Sequence, residues 1–238
     1  MYLFDLHVHT YCSRHPVWGN DAVSSPKEVV EEAARKGLDG VAITDHNTTK
    51  GGLLGLRVAK SNGVVVIPGV EISSVRGDIL VLGLMEKLEF KPKRMDVGEV
   101  IELAREAGGV VVLPHPYRRS KPPTFVREFR VDALEGFNAR TSKRLNEKAK
   151  RLAKAEGIPV VAGSDAHTLN EIGNGVTGIT ADDRRLEDVL EAISKGKVTI
   201  TRENPFKLTE RMRYYGVKIR DLILHGREYK CIEEWPSL

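Results

Sequence analysis

The chemistry-bearing residues of this chain cluster in one kind of place, the ends of apolar runs. Asp5-Leu6-His7-Val8-His9-Thr10 follows the apolar run Tyr2-Leu3-Phe4, which reads as a buried strand. Side chains alternate along a strand with period two, so His7 and His9 project from the same side and one metal ion could take both imidazoles. Of the seven histidines, His7, His9, His15, His46, His115 and His167 fall directly after strand-like runs or in the loops that follow, and only His225 does not. Asp45, Glu71 and Asp165 stand at strand ends too. Singly each has an ordinary alternative. Asp45 and Asp165 could cap the helices that follow, His115-Pro116 could be a loop, and Glu71 could pair with a surface arginine. Jointly they offer seven or eight nitrogen and oxygen ligands, more than one tetrahedral site holds, which points to two or three ions.

The elements that must position these residues alternate. Ser25-Pro26-Lys27-Glu28 announces a helix, with Ser as cap, Pro in the first turn and Glu three residues on. Val29, Val30, Ala33 and Ala34 supply its apolar stripe, and Gly37 ends it. Strands are expected at 38–44, 64–67, 79–84, 110–113, 131–137, 158–162, 176–180 and 198–201, and further helices near 50–62, 96–107, 141–156 and 184–195. Continuous Val/Ile/Leu strands between helices argue for a parallel sheet covered on both faces. No G-x-G-x-x-G follows the first strand and no phosphate-binding Gly-Lys motif occurs, so an open nucleotide-binding sheet has no local support. In a barrel, the carboxyl ends of the strands open on one face, and distant residues converge there by topology alone.

With 238 residues, 41% hydrophobic and 29% charged, the chain can bury a large core as one domain, with residues from about 203 to 238 as a helical extension packed on it. No apolar run approaches the roughly 20 residues needed to span a bilayer. The chain enters a strand at once, without the basic leader and apolar stretch of a signal peptide, so a cytoplasmic location is expected. The net charge of +4 suits an anionic substrate or a weak nucleic-acid contact. Glutamine is absent and Glu, Lys and Arg are abundant, a composition of the thermophilic kind. Cys12 and Cys231, at opposite ends, are expected not to form a disulfide framework, with Cys12 a small buried thiol.

Five segments in order, Asp5–Thr10, Ile43-Thr44-Asp45-His46-Asn47, Pro68-Gly69-Val70-Glu71-Ile72-Ser73, Pro114-His115-Pro116 and Gly163-Ser164-Asp165-Ala166-His167, resemble the motifs of the PHP (polymerase and histidinol phosphatase) family. The resemblance covers about residues 1 to 201. It implies an α/β fold, a distorted (β/α)7 TIM-like barrel, with a trinuclear site of Zn, Mn or Fe acting as a phosphoesterase. By motif, His7, His9, Glu71 and Asp165 match ligands of a first ion. Glu71 would bridge to a second, held also by His115. His46 and His167 would hold a third with the residue after Ser13-Arg14, which is His15 here, and Asp21 is the competing candidate. Many members carry Gly-His after the Glu motif; this chain has Gly77-Asp78, an oxygen ligand that favours harder ions or leaves a two-ion site.

Three divalent ions would carry far more positive charge than the Glu71 and Asp165 carboxylates remove, the histidines being neutral as ligands, and that excess suits a phosphate dianion. The expected reaction is in-line attack by a metal-bridging hydroxide on a phosphomonoester or nucleotide-type substrate, without a covalent intermediate. Glu71, Asp165, His167 and Arg118 are the residues assigned to the chemistry, Arg118 holding phosphate oxygens in preference to Arg119 and Arg140. His167 or Asp45 could protonate the leaving group. The loops 11–24 and 117–125, with Trp18 and Tyr117, border the expected site. There is no G-x-S-x-G elbow, and Ser164 reads as placing Asp165. Two alternatives stand beside the phosphatase reading. One is a nuclease acting on nucleic-acid ends; the other is an RNA-binding barrel subunit of a ribonucleoprotein.

Overall fold

Short β-branched runs become strands because their side chains pack on both faces of a pleated sheet. In a computed structural model, which describes residues 1–17, 20–59, 62–118, 124–207, 209, 212, 214–216, 219 and 231, these runs form a nine-stranded sheet. The strands are β1 (Tyr2–Val8), β2 (Gly40–Ile43), β3 (Val65–Ser73), β4 (Asp78–Leu82), β5 (Val110–Leu113), β6 (Ala133–Asn138), β7 (Val160–Gly163), β8 (Gly175–Ile179) and β9 (Val198–Glu203). Five helices accompany them: α1 (Pro26–Arg35), α2 (Lys50–Ala59), α3 (Val97–Glu106), α4 (Lys143–Glu156) and α5 (Leu186–Ser194). The strand order is β7-β6-β5-β4-β3-β2-β1-β8-β9.

The expected cap of α1 forms. Glu28 N donates to Ser25 Oγ at 3.1 Å and Ser25 N to Glu28 Oε2 at 2.8 Å, a reciprocal pair that contributes about 1 kcal/mol. At the other end of α4, Gly157 adopts φ 66°, the left-handed conformation that glycine reaches without strain.

The sheet curls until β1 meets β7. Asp165 N donates to His7 O at 2.8 Å, His9 N donates to Ala166 O at 2.9 Å, and Val8 bridges Ala166 in parallel. The result is a nearly closed, distorted TIM-like barrel, as the sequence reading expected. The expectation of an all-parallel sheet is corrected. β4 runs antiparallel to both β3 and β5, and β8 and β9 are antiparallel as well. Only residues 74–77 separate β3 from β4, and a parallel return needs a crossover of a dozen residues or more. The reversal matters for the site, because it puts the first residue of β4, Asp78, on the rim where the other strands end.

Successive residues of β2 and β4 alternate between two apolar clusters, as the pleat requires. Ala42, Leu80 and Leu82 join Phe4, Leu6, Ile67, Val112, Val161 and Ile179 in the inner cluster, which Val189, Ala192 and Ile193 of α5 plug from one end. Val41 and Ile43 pack instead against α1, while Ile79 and Val81 share a cluster with residues of α3 and α4.

Candidate metal centre

The end of the barrel opposite α5 is polar. β1 carries a register shift between Asp5 and Val8, a local kink of the kind that re-aims side chains. His7 Nε2 and His9 Nε2 then lie 3.0 Å apart, with His7 Nδ1 turned to Glu135 Oε1 at 2.9 Å. Glu71, near the end of β3, is the hub. Its Oε1 lies 2.9 Å from His115 Nε2, and its Oε2 lies 3.2 Å from His7 Nε2, 3.4 Å from His9 Nε2 and 3.3 Å from His46 Nδ1. Asp165, after β7, places Oδ1 3.3 Å from His9 Nε2 and 3.7 Å from His7 Nε2. Its Oδ2 takes the Arg118 guanidinium at 2.5 Å, and Arg118 also donates to Asn138 Oδ1 at 2.6 Å.

A second corner forms where the first loop meets the strand ends. Asp21 Oδ2 lies 3.3 Å from His46 Nε2 and 3.2 Å from His167 Nε2. The half-buried His15 ring stands edge-on to His46 with centroids 4.8 Å apart. Donor atoms converge in overlapping groups: His7, His9 and Glu71; His7, His115 and Asp165; His9, His46 and His167; His15, Asp21 and His46; Glu71, Asp78 and His115. All eight residues expected as ligands thus lie in one cluster, and Asp21 and Asp78 join them.

The cluster fits metal ions on its own chemistry. His9 Nδ1, Asp21 Oδ1 and His46 Nδ1 are buried without a hydrogen-bond partner, a cost of about 1–3 kcal/mol for each such group. Facing imidazole nitrogens and carboxylate oxygens gain their missing partner when a cation sits among them. The backbone is strained at the same spot. Asn47, His115 and Asp165 have φ of 58°, 26° and 56°, a left-handed region that costs non-glycine residues about 1–3 kcal/mol each and gathers at functional sites.

Charge is shared across the cluster. Burial alone would raise the Glu71 and Asp165 carboxyls. His46 and His7 outweigh it for Glu71, and Arg118 with His7 for Asp165, so both are held well below the usual range. Asp21 is likewise held down by His46 and His167 against its burial. His46 is raised to about 9, with Glu71 and Asp21 overcoming burial. His167 is lowered to about 4 by burial and by Arg140.

Around the donors stands a layer that orients them. Asp45, for which helix capping was the ordinary alternative, accepts from Thr10 N and Thr10 Oγ1, and burial raises its carboxyl to about 7. Asp5 accepts from the backbone N–H groups of Ser164 and Gly173, and Ser164 Oγ donates to His7 O, so Ser164 is a positioning group rather than a nucleophile. Glu171 accepts from His167 N and from Arg140, whose guanidinium lies over the Phe206 and Tyr214 rings, not in the cluster. Tyr117 packs against the outer apolar cluster. Arg119, Trp18 and His225 lie outside the described residues.

Glu135 and Asn138 escaped the sequence reading. The available signal was an acidic residue inside the apolar strand Ala133-Leu134-Glu135-Gly136-Phe137, since a carboxylate is almost never fully buried without partners. The cysteine expectation is also corrected. Cys12 and Cys231 form a disulfide with Cα atoms 4.9 Å apart. Tyr214 Oη donates to Asp21 O at 2.7 Å on that same side.

Residues 5–119 match the PHP domain family, and residues 143–198 match a PHP-associated family. The chain belongs to the PHP family. An uncharacterized protein of Methanocaldococcus jannaschii is 38% identical over 57% of this chain and 81% of its own length. A probable phosphatase of Proteus mirabilis is 26% identical over 92% of this chain and 97% of its own. In fold, a two-domain Bacteroides vulgatus protein containing a predicted PHP-like metal-dependent phosphoesterase superposes with TM-score 0.71 at 18% identity, covering 91% of this chain and 69% of that one. A lesion-specific endonuclease of Pyrococcus furiosus superposes with TM-score 0.59 at 19% identity, over 84% of this chain and 57% of that one. As a PHP protein with this donor set, the chain is a metal-dependent hydrolase of phosphoric esters.

Proposed function

We propose that this PHP protein hydrolyses a small phosphomonoester or nucleotide-type substrate with two or three divalent ions, of Zn, Mn or Fe. The observation that carries the reading is the convergence of six histidines with Glu71, Asp165 and Asp21 on one barrel rim. In this reading His7, His9, Glu71 and Asp165 hold a first ion, and Glu71, Asp78 and His115 a second. His46 and His167 hold a third with Asp21 or His15. Held by these residues, divalent ions would supply a hydroxide nucleophile at neutral pH and positive charge for the phosphoryl oxygens.

The protein's own groups do the rest. Glu71 spans the cluster with its two oxygens facing opposite sets of imidazoles, which keeps the sites in one frame. Arg118 keeps the Asp165 carboxylate aimed inward and, with about a third of its side chain exposed, presents positive charge to an incoming phosphate. His167 is neutral at pH 7, because burial and Arg140 disfavour its cation, and that suits a ligand better than a leaving-group acid. Asp45 is committed to Thr10 and carries no such role.

Action on nucleic-acid ends shares this centre and differs in the substrate loops; the likeness of fold to an endonuclease keeps it as the second reading. The RNA-packing subunit has no use for an orphaned imidazole cluster and is set aside. We read the described barrel as one domain; the helical extension expected from about 203 to 238 falls largely outside the described residues. Among the described residues no helix is long and apolar enough to cross a membrane. A cytoplasmic setting is compatible with the disulfide in a thermophilic source, where intracellular disulfides occur. The test is a panel of phosphomonoesters, nucleotides and short oligonucleotides with Mn²⁺, run beside His9→Ala. The variant is expected to lose metal and at least about 100-fold of turnover, beyond the effect of an outer-layer partner. Unchanged turnover would refute the site, and cleavage of oligonucleotides alone would replace the first reading by the second.

A further inference from the structure

We propose that Glu135 is a positioning residue that sets the first and second ion sites relative to each other, an inference that rests on the metal-centre reading above. Glu135 sits in β6 between apolar neighbours and is 1% exposed. A carboxylate there is sustained only by good partners. Its Oε1 lies 2.9 Å from His7 Nδ1, while Oε2 accepts from His115 N at 2.8 Å and from Asn138 Nδ2 at 3.0 Å. One carboxylate therefore touches the side chain of a ligand assigned to the first ion and the backbone of a ligand assigned to the second.

The fold makes room for this contact. β6 carries a register shift between Glu135 and Phe137, matching the one in β1 beside His7. Gly163 completes the space, since a Cβ there would collide with both Glu135 Oε1 and His7 Cβ. An ionised carboxylate only accepts, so His7 carries its proton on Nδ1 and turns the Nε2 lone pair toward His9 and Glu71. The second oxygen holds His115 in its left-handed backbone conformation, φ 26°, which aims its ring at Glu71. An amide at position 135 has one acceptor oxygen and an NH₂, so at least one of the three N–H groups facing it would meet another donor.

The experiment compares full-length wild type, Glu135→Gln, Glu135→Asp and His9→Ala for Zn²⁺ and Mn²⁺ affinity by chelator competition, with melting of the chelated proteins alongside. Glu135→Gln is expected to bind metal about 10–100-fold more weakly, and Glu135→Asp, which keeps the charge, to recover part of the loss. ¹⁵N-histidine spectra of the zinc-loaded wild type are expected to show His7 protonated on Nδ1, which tests the idea even where a variant fails to fold. Wild-type affinity in Glu135→Gln, with or without a lower melting temperature, overturns the positioning role while His9→Ala still reports on the centre. An Nε2–H tautomer for His7 overturns it too. Equal binding by wild type and His9→Ala defeats the metal centre itself, and this inference with it.

Discussion

The two ends of the barrel interior are built from the same strands and could hardly differ more. At the α5 end, Phe4, Leu6, Ile67, Leu80, Leu82, Val112 and Val161 form a dry apolar floor. A few residues further along, the same chain segments present His7, Glu71, His115 and Asp165, together with three orphaned polar atoms and three left-handed non-glycine residues. Each large apolar side chain buried in the floor contributes about 1.5–3 kcal/mol. The rim spends stability of the same order on desolvated charge and strained backbone. The barrel separates the two tasks by height along each strand, so that a rigid floor holds a frustrated rim in a geometry that suits cations.

Cutting the floor is expected to have the largest effect on stability. Leu80→Ala should cost about 2–5 kcal/mol in denaturant melts of the metal-free protein, while metal stoichiometry by elemental analysis stays at the wild-type value. A loss of metal in the folded variant would show that the two ends are not separable. At the rim, removing Arg118 takes a charged hydrogen bond from Asp165 and positive charge from the mouth. Arg118→Ala is expected to lower kcat/KM by about 10–100-fold, the equivalent of about 1.5–3 kcal/mol, with Arg118→Lys intermediate because it keeps the charge and loses the fork. Steady-state kinetics on the best ester of the panel reads this, and equal kcat/KM for all three proteins removes Arg118 from the site.

Within the rim, Asp21 and His15 compete for the same corner. Asp21 Oδ2 lies 3.2–3.3 Å from both His46 and His167, whereas His15 stands edge-on to the His46 ring. Asp21→Asn is therefore expected to weaken the last-bound ion about tenfold or more, and His15→Ala by less; the reverse order in metal titrations would return the corner to His15. The same corner also responds to pH. In the metal-free protein His46 is raised to about 9 from 6.5, so the stability it contributes is full below about 6.5 and is lost as pH rises through 9. Metal needs the neutral ring, so affinity at this corner should climb from pH 7 to 9, by at most about tenfold per unit for one proton. Affinities measured at pH 7, 8 and 9 that do not change would contradict it.

The floor was largely legible from the chain. Val/Ile/Leu runs, the Ser25–Glu28 cap and the end of the helix expected near 141–156 are local signals, and each forms where the pattern puts it. The rim was legible in its ingredients, because His, Asp and Glu at strand ends are visible as types and positions. Two features were not. β4 reverses direction, which follows from the four residues of its hairpin but conflicts with the Val/Ile/Leu pattern that suggested a parallel strand. Glu135 looked like an anomaly in an apolar strand until its partner was known.

By itself the sequence determined which donors exist, which strands carry them and which family's motifs they spell, because these depend on spacing within a few residues. Only the tertiary structure decided that Glu135 meets His7 across 128 residues of chain, that Asp21 reaches both His46 and His167, and that Cys12 bonds Cys231. Those pairings follow from barrel closure and from the register shifts in β1 and β6. A one-residue change of register turns every side chain to the opposite face, and no local pattern in the chain specifies where that change falls.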